Sequence, residues 1–407
     1  MEQQLLFRAV VDICLLIALA EVASAVNAKL RIPRIIGTLS IGILFGPKLL
    51  GGLQLAGRSL IEFNELVYVF AEVGAVLLLF SAGLHMTFGE LKRSGAISFT
   101  VALAGVIVPY VMGFAATVLL GYDWYIAMII GGSMAATSIA ISVKSLDEMG
   151  RMSSTEAKII LGAAIIDDVL ALSLASVIFT IVVSHAQIST LDIILSLSKT
   201  LGVWLVLTAV SARVVPMLLD YVIRLKVGVG HLIEAFSILV CFSYAAFSGT
   251  LGLSPLVGAF IAGMAIADSL YLDLIKDFLE KVEVIFVPLF FVVMGASVDP
   301  QSILHGNFLL ILILCLVGVV SKLIGCGLPA AYLLKDRTCG IRIGYGMISR
   351  GEIGLVIASM GVTYGILPGE VYTALILMIF VTSLLPPFLL KRSYSMEAKT
   401  LEVVARD

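Results

Sequence analysis

The sequence predicts an all-α, polytopic membrane protein with about 13 transmembrane helices. Of its 407 residues, 60% are hydrophobic and only 13% are charged, whereas roughly a quarter of the residues of a soluble globular protein are charged. Apolar stretches of about 18–25 residues recur from end to end, long enough for helices that cross a ~30 Å hydrocarbon core. The net charge is −2, so no basic tail indicates nucleic acid as a partner.

The apolar stretches place the predicted spans in order along the chain. They run roughly over residues 5–27, 33–50, 64–86, 95–120, 125–145, 157–183, 192–219, 231–249, 253–268, 278–297, 307–334, 340–363 and 370–390. The first stretch has no small-residue cleavage site after a short apolar core, so we expect a span and not a removable signal. Residues 393–407 are too few to fold alone and are predicted to form a short tail.

The basic residues predict the orientation of these spans. Of the 26 Lys and Arg residues, 19 fall in one set of alternate loops and in the C-terminal tail, four fall on the other side, and three lie within spans. Because basic loops stay in the cytoplasm, we expect a multi-pass protein of the cell membrane whose N-terminus is outside and whose C-terminus is cytoplasmic.

Two adjacent acids interrupt the sixth span, in the stretch AAIIDDVLAL. Asp167 and Asp168 lie near its middle, where a charged side chain costs at least ~2.5–3.5 kcal/mol. Consecutive helical residues point about 100° apart, so the two carboxylates are not expected to share one partner equally. Burial for packing specificity alone is the alternative, and it is disfavoured because two apolar residues would serve at lower energy.

A lysine lies in the middle of the eleventh span, LVGVVSKLIGCGLPA. An unpaired ammonium group at this depth would lose its proton or seek a carboxylate. We therefore expect Lys322 to pair with an aspartate of the sixth span. Extension of its side chain to the membrane surface is the alternative, and the apolar residues on both sides disfavour it.

The fifth and twelfth spans carry signals of broken helices. The fifth reads IIGGSMAATSIAISVKSL, and the twelfth reads GIRIGYGMISRGEIGLVIASMGVTYG, with Arg350 and Glu352 inside it. Each glycine costs a helix about 1 kcal/mol, and a broken helix survives in a membrane only where protein or water satisfies its backbone. Two interrupted helices in separate halves predict an inverted-repeat transporter with its site at the midplane. Small residues that merely allow close helix packing are the alternative.

Several motifs stand in an order that is typical of one family. They are LLLFSAGLHM, the Asp-Asp pair, SPLVGAFIAGMAI, PLFFVVMGASVD, the lysine of the eleventh span, and RGEIG. With these motifs the chain resembles the cation:proton antiporters of the second large family, which include the NapA, NhaA and Kef-type proteins, and it is most similar to NapA-like sodium/proton antiporters. The resemblance covers nearly the whole chain. It implies a homodimer of 13-helix protomers, each with a dimerisation domain and a mobile core domain that carries two crossed, broken helices.

The resemblance also implies domain boundaries. Helices 1–3 (residues 1–94) and helices 8–10 (229–304) would form the dimerisation domain. Helices 4–6 (95–190) and helices 11–13 (305–392) would form the core domain. Residues 191–228 would be a linking helix, and residues 393–407 the short cytoplasmic tail.

Site residues follow from the same resemblance, position by position. Asp168 matches the cation-binding aspartate and would hold Na⁺. Asp167 matches the aspartate that pairs with a lysine, and Lys322 matches that lysine. Further site residues are expected on the two broken helices: Thr137 and Ser138 at the cation and proton site, and Arg350 and Glu352 as ion-pairing or coupling groups.

The expected activity is electrogenic exchange of Na⁺ or Li⁺ for H⁺, in pH homeostasis, with no cofactor and no enzymatic reaction. Kef-type potassium proteins usually have Gln-Asp in place of Asp-Asp and add a nucleotide-binding domain, and the chain matches neither feature. A K⁺/H⁺ antiporter of the Kef type remains the first alternative, followed by a cation channel and a sensor built on a transporter fold. The expected partners are the transported ions, the lipid bilayer and a second copy of the chain.

Overall fold

The computed structural model describes residues 2–29, 34–55, 58–184, 190–224, 229–251, 253–296 and 307–404. Almost all of this described part is α-helical. A short 3₁₀ turn, Leu50–Gly52, precedes two antiparallel strands of two residues each, β1 (Gln54–Leu55) and β2 (Arg58–Ser59), in which Gln54 faces Ser59. The prediction of an all-α protein is confirmed.

The chain divides into two compact units, each made of two separate stretches. Unit 1 comprises Met1–Arg93 and Ser189–Gln301, and unit 2 comprises Ser94–Ile188 and Ser302–Asp407. The dimerising and mobile roles expected for the two halves of the fold, and the linking role of residues 191–228, stay predictions.

Unit 1 contains seven of the described helices and the first residues of an eighth. The seven are α1 (Glu2–Lys29), α2 (Arg34–Phe45), α3 (Glu65–Leu84), α8 (Thr190–Arg224), α9 (Val229–Thr250), α10 (Pro255–Ile266) and α11 (Leu272–Ala296). Helices α3 and α10 meet at glycines: a Cβ on Gly83 would lie 2.3 Å from the Phe260 carbonyl oxygen, and one on Gly263 would lie 2.2 Å from that of Phe80. Small residues therefore set this helix spacing, as is usual where helices pack in a membrane.

Unit 2 contains the remaining helices and all the predicted site residues. Its helices are α4 (Phe88–Leu119, from Ser94 onward), α5 (Trp124–Ala135), α6 (Ile139–Glu148), α7 (Thr155–Ser184), α12 (Phe308–Lys322), α13 (Leu328–Leu334), α14 (Arg337–Gly346), α15 (Glu352–Thr363) and α16 (Gly369–Val404). A π-helical segment, Leu323–Gly327, joins α12 to α13. Inside the predicted spans of the described part of this unit, the α-helix is interrupted at three points: between α5 and α6, between α12 and α13, and between α14 and α15.

Within the described residues, nine helical stretches are long and apolar enough to cross a membrane. They correspond to nine of the predicted spans, counting α5 with α6 and α12 with α13 as one span each. The other four predicted spans coincide with α7, α10, α11 and the pair α14–α15. Among them, α10 has only 12 residues. The multi-pass architecture is confirmed, and the count of 13 stays a prediction.

Candidate ion-binding site

The fifth predicted span is broken between α5 and α6. Helix α5 ends at Ala135, and the backbone is extended at Ala136 (φ −64°, ψ 144°) and Ser138 (φ −88°, ψ 112°) before α6 begins at Ile139. The last carbonyl groups of a helix have no partner within it. The break therefore leaves acceptors in a segment whose residues are buried.

The second break lies between α14 and α15 and is hydrogen-bonded to the first. The Ser138 N–H donates to the Ser349 carbonyl oxygen at 2.9 Å, and the Ser349 hydroxyl donates back to the Ser138 carbonyl oxygen at 2.8 Å. The Ser142 hydroxyl donates to the Gly346 carbonyl oxygen. A Cβ on Gly351 would lie 2.7 Å from Ser138 Cβ, so glycine is needed where the breaks touch. The predicted crossing of two broken helices is confirmed.

Lys322 ends α12 and is fully buried at this crossing. Its Nζ donates to the Gly105 carbonyl oxygen at 2.7 Å, to the Ala135 carbonyl oxygen at 2.9 Å and to Asp167 Oδ1 at 3.4 Å. An ammonium group has three protons to donate, and each has an acceptor here. The geometry matches the pairing with a sixth-span aspartate, although the two backbone carbonyls lie closer than the carboxylate.

Arg350 is also fully buried, and it binds backbone of other segments. Its guanidinium donates to the Ala136 carbonyl oxygen at 3.2 Å and to the Gly318 carbonyl oxygen at 3.0 Å. The Ser383 hydroxyl of α16 donates to the Arg350 carbonyl oxygen at 2.7 Å. Arg350 therefore stabilises the freed backbone of the first break. Glu352 begins α15, but its side chain lies outside the described part of the structure.

The two aspartates are both removed from solvent. Asp167 is 0% exposed and Asp168 is 2% exposed. The Thr137 hydroxyl lies close to the Asp167 carboxylate, and neither Thr137 Oγ1 nor Asp167 Oδ2 meets the criteria for a hydrogen bond with a described residue. The structure thus brings Asp167, Thr137 and Lys322 together, with Asp168 at the next position of α7.

Four buried polar atoms near the crossing lack a hydrogen-bond partner within the described residues. They are Thr137 Oγ1, Ser138 Oγ, Asp167 Oδ2 and Arg350 Nε. Buried polar groups in proteins are nearly always paired, and a place for water or an ion is one of the recognised explanations for an exception. Three of the four atoms are oxygens of the kind that bind hard cations. We call the set Asp167, Asp168, Thr137, Ser138, Lys322 and Arg350 the crossing site.

Sequence reasoning missed three residues that support the crossing site: Gly105, Pro109 and Ser349. The Gly105 carbonyl is a direct acceptor of the Lys322 ammonium, and Pro109 lies inside α4 four residues later. A proline has no N–H and leaves the carbonyl four residues earlier without its helical donor. A proline inside a membrane span was therefore a usable signal. Ser349 gave no comparable signal, because its role depends on the contact with the other break.

Crossed helix breaks that surround buried charges define a class of secondary ion transporters. Within that class, this chain belongs to the family described as "Sodium/hydrogen exchanger, transmembrane", whose sequence profile matches residues 15–391. The predicted resemblance to cation:proton antiporters is confirmed, and the family consists of ion transporters.

Relatives and a solved structure of similar fold cover nearly the whole chain. The Na(+)/H(+)-K(+) antiporter GerN of Bacillus cereus is 31% identical over 393 residues, which are 96% of this chain and 97% of that protein. The probable Na(+)/H(+) antiporter GerT of the same organism is 32% identical over 384 residues, 94% of this chain and 98% of that one. The sodium proton antiporter MjNhaP1 of Methanocaldococcus jannaschii superposes with a TM-score of 0.69 at 18% identity, over 96% of this chain and 97% of that one.

Proposed function

We propose that this protein exchanges Na⁺ for H⁺ across the cell membrane as a homodimer, by alternating access with an elevator-like movement of the core domain. Asp168 holds the cation, helped by Thr137 and Ser138, and Asp167 pairs with Lys322. Arg350 and Glu352 support the second broken helix. The N-terminus faces outside and the C-terminus lies in the cytoplasm.

The cluster of buried oxygens without hydrogen-bond partners carries this proposal. Thr137 Oγ1, Ser138 Oγ and Asp167 Oδ2 are such oxygens, and the Asp168 carboxylate lies on the adjacent position of α7. A dehydrated Na⁺ needs several oxygen ligands of the kind that hard cations prefer, and a carboxylate among them balances its charge. The crossing site supplies that combination among residues that are each at most 4% exposed.

Competition between a proton and a cation follows from the burial of the carboxylates. Removal from water favours the neutral form of a carboxyl group, and a bound cation likewise neutralises its charge. An empty site that carries net charge is costly inside a membrane. The core domain therefore moves when it is loaded with either kind of ion, and this restriction couples the two fluxes.

Charge counting supports an electrogenic cycle. Exchange of one proton for one Na⁺ on Asp168 alone would carry the same net charge in both directions. Asp167 and Lys322 form a second group that can gain or lose a proton, so more than one proton is exchanged per cation. Each net charge moved is worth ~2.3 kcal/mol per 100 mV of membrane potential, which is enough to drive Na⁺ out of a cell.

Flux through the purified protein in liposomes tests the function. With an imposed pH gradient, addition of Na⁺ should move protons, and a potential set by K⁺ and valinomycin should change the rate. Asp168→Asn should abolish the exchange, because an amide keeps the size but does not titrate. Asp277→Asn, the same change on an exposed acid of α11, is the matched control and should leave the exchange intact.

The outcomes separate the parts of the proposal. Wild-type protein that moves no protons with Na⁺, Li⁺ or K⁺ would refute antiport. Full exchange by Asp168→Asn would remove Asp168 from the central role. A rate that is independent of voltage would mean one-for-one exchange.

Potassium is the second candidate ion, and one observation favours testing it. The name of the relative GerN includes K⁺ as well as Na⁺. The same liposomes, prepared without valinomycin and challenged with each ion in turn, give the order of preference. We expect Na⁺ to drive proton movement at a lower concentration than K⁺.

A further inference from the structure

We infer that Pro109 is a positioning residue for Lys322. It deprives the Gly105 carbonyl of its helical donor, and this carbonyl then holds the ammonium group while Asp167 changes its partner. The inference rests on the proposed function for the exchange of partners on Asp167, but the contact itself is a feature of the fold.

The distances show that Lys322 makes shorter hydrogen bonds to the two backbone carbonyls than to Asp167. Its Nζ lies 2.7 Å from the Gly105 carbonyl oxygen and 2.9 Å from that of Ala135, but 3.4 Å from Asp167 Oδ1. Hydrogen bonds between charged nitrogen donors and oxygens are typically ~2.7–2.9 Å long. The ammonium group thus rests on two neutral acceptors and reaches the carboxylate as a third, longer contact.

The two carbonyls become available by different routes. Ala135 is the last residue of α5, so its carbonyl is free because the helix ends there. Gly105 lies well inside α4, which runs from Phe88 to Leu119, and its carbonyl would normally accept from the N–H of residue 109. That residue is proline and has no N–H. Pro109 therefore opens one acceptor in the middle of an unbroken stretch of helix.

The surrounding packing keeps this acceptor within reach of Lys322. A Cβ on Gly105 would lie 2.6 Å from Cys326 Sγ, and one on Gly325 would lie 2.6 Å from the Ala104 carbonyl oxygen. Both Gly325 and Cys326 belong to the π-helical segment that follows Lys322. Close approach of α4 to this segment holds the Gly105 carbonyl against the ammonium group.

A backbone acceptor has a consequence that a second carboxylate would not have. A carbonyl neither titrates in this pH range nor carries a charge for which Na⁺ competes strongly. Lys322 therefore keeps two of its three hydrogen bonds when Asp167 takes a proton or turns toward a cation. The ammonium group therefore keeps hydrogen bonds to the protein while Asp167 changes its partner, and Asp167 can exchange a proton or a cation.

A double-mutant cycle tests the contact without requiring transport. Pro109→Ala supplies an N–H that competes for the Gly105 carbonyl, and it also improves the helix propensity of α4. The propensity gain is present whether or not Lys322 is there. Pro109→Ala should therefore raise the melting temperature by about 2 °C less, or lower it by about 2 °C more, in the otherwise wild-type protein than in a Lys322→Met background, which has no donor for the Gly105 carbonyl.

A second readout is the pH profile of Na⁺-driven proton movement in liposomes. A weaker hold on the charged form of Lys322 should move the alkaline side of the profile of Pro109→Ala to lower pH by roughly one unit. Pro288→Ala is the matched control, because Pro288 lies inside α11 and frees the carbonyl of Val284, to which no described side chain donates. Its profile should be unchanged.

The inference is overturned by either of two results. One is the same change in melting temperature in both backgrounds, and the other is a Pro109→Ala profile that coincides with that of the wild type. Wild-type protein without Na⁺-driven proton movement would instead refute the proposed function. The melting cycle would still decide whether Pro109 positions Lys322.

Discussion

Two buried arginines of unit 2, only eight positions apart, are held in different ways. Arg350 lies in the crossing site and donates to the carbonyl oxygens of Ala136 and Gly318, while its Nε has no partner among the described residues. Arg342 lies in α14 and is held mainly by side chains. Its guanidinium donates to Glu156 Oε1 at 2.9 Å and to the Ser393 hydroxyl at 3.1 Å.

An aromatic ring completes the second cluster. The guanidinium carbon of Arg342 lies 4.1 Å from the ring centroid of Tyr394, and that of Arg151 lies 4.9 Å from it. We call Arg342, Glu156, Ser393, Tyr394 and Arg151 the Arg342 cluster. It joins the start of α7 and the helix α14 to the C-terminal helix α16, all within unit 2.

The difference between the clusters indicates their roles. An arginine that donates to a carboxylate and is covered by an aromatic ring stabilises one arrangement. In the crossing site, charged side chains donate to backbone carbonyls that the helix breaks leave free, and some buried oxygens have no hydrogen-bond partner among the described residues. Such a site can accept a small ion, and its groups can change partners. The crossing site is thus suited to exchange, and the Arg342 cluster to holding three segments together.

The largest effect is expected from breaking the Asp167–Lys322 pair. Lys322→Ala leaves the Asp167 charge buried without its partner, and Asp167→Ala does the same to Lys322. Each single change should cost about 3–5 kcal/mol of folding free energy, and the double variant should lose less than the sum of both. Thermal melts of the three variants measure this, and additive losses would contradict a direct pair.

A smaller loss of stability is expected from a change in the Arg342 cluster, and the transport activity should persist. Arg342→Ala removes hydrogen bonds to a charged group, which should cost about 1.5–3 kcal/mol. Because no atom of this cluster belongs to the crossing site, the folded fraction should still exchange Na⁺ for H⁺. Melting temperature and flux per folded molecule are the measurements. Loss of exchange at full stability would instead place the Arg342 cluster in the transport cycle.

Much of the crossing site could be predicted, because charged residues are rare inside membrane-spanning stretches. Charged residues inside apolar stretches are costly, so Asp167, Asp168, Lys322 and Arg350 were each visible against their surroundings. The glycine-rich spans likewise indicated the two breaks. These features depend on local sequence, and the structure places them at one crossing.

Other features depend on contacts between distant parts of the chain and were not predictable. Arg342 and Glu156 lie near the predicted ends of spans, where charges are common, and nothing in the sequence pairs them. The use of the Gly105 carbonyl by Lys322 needs the π-helical segment to pack against α4. The number of spans also stays open, since α10 is shorter than a usual span and its crossing depends on neighbouring helices.

The smallest effect is expected at the ring of Tyr394, and it tests what holds the Arg342 cluster together. The ring is 6% exposed, and a cation over an aromatic face is worth about 0.5–2 kcal/mol, depending on its desolvation. Tyr394→Leu should therefore lower the stability by an amount in that range, while Tyr394→Phe keeps the ring and should change it less. In an Arg342→Ala background the difference between Leu and Phe should shrink, because only Arg151 then remains near the ring. Melting temperatures of the four variants decide the question. A Leu–Phe difference that is unaffected by the loss of Arg342 would show that the ring does not stabilise the protein through Arg342, and the contrast with Arg350 would then rest on Glu156 and Ser393.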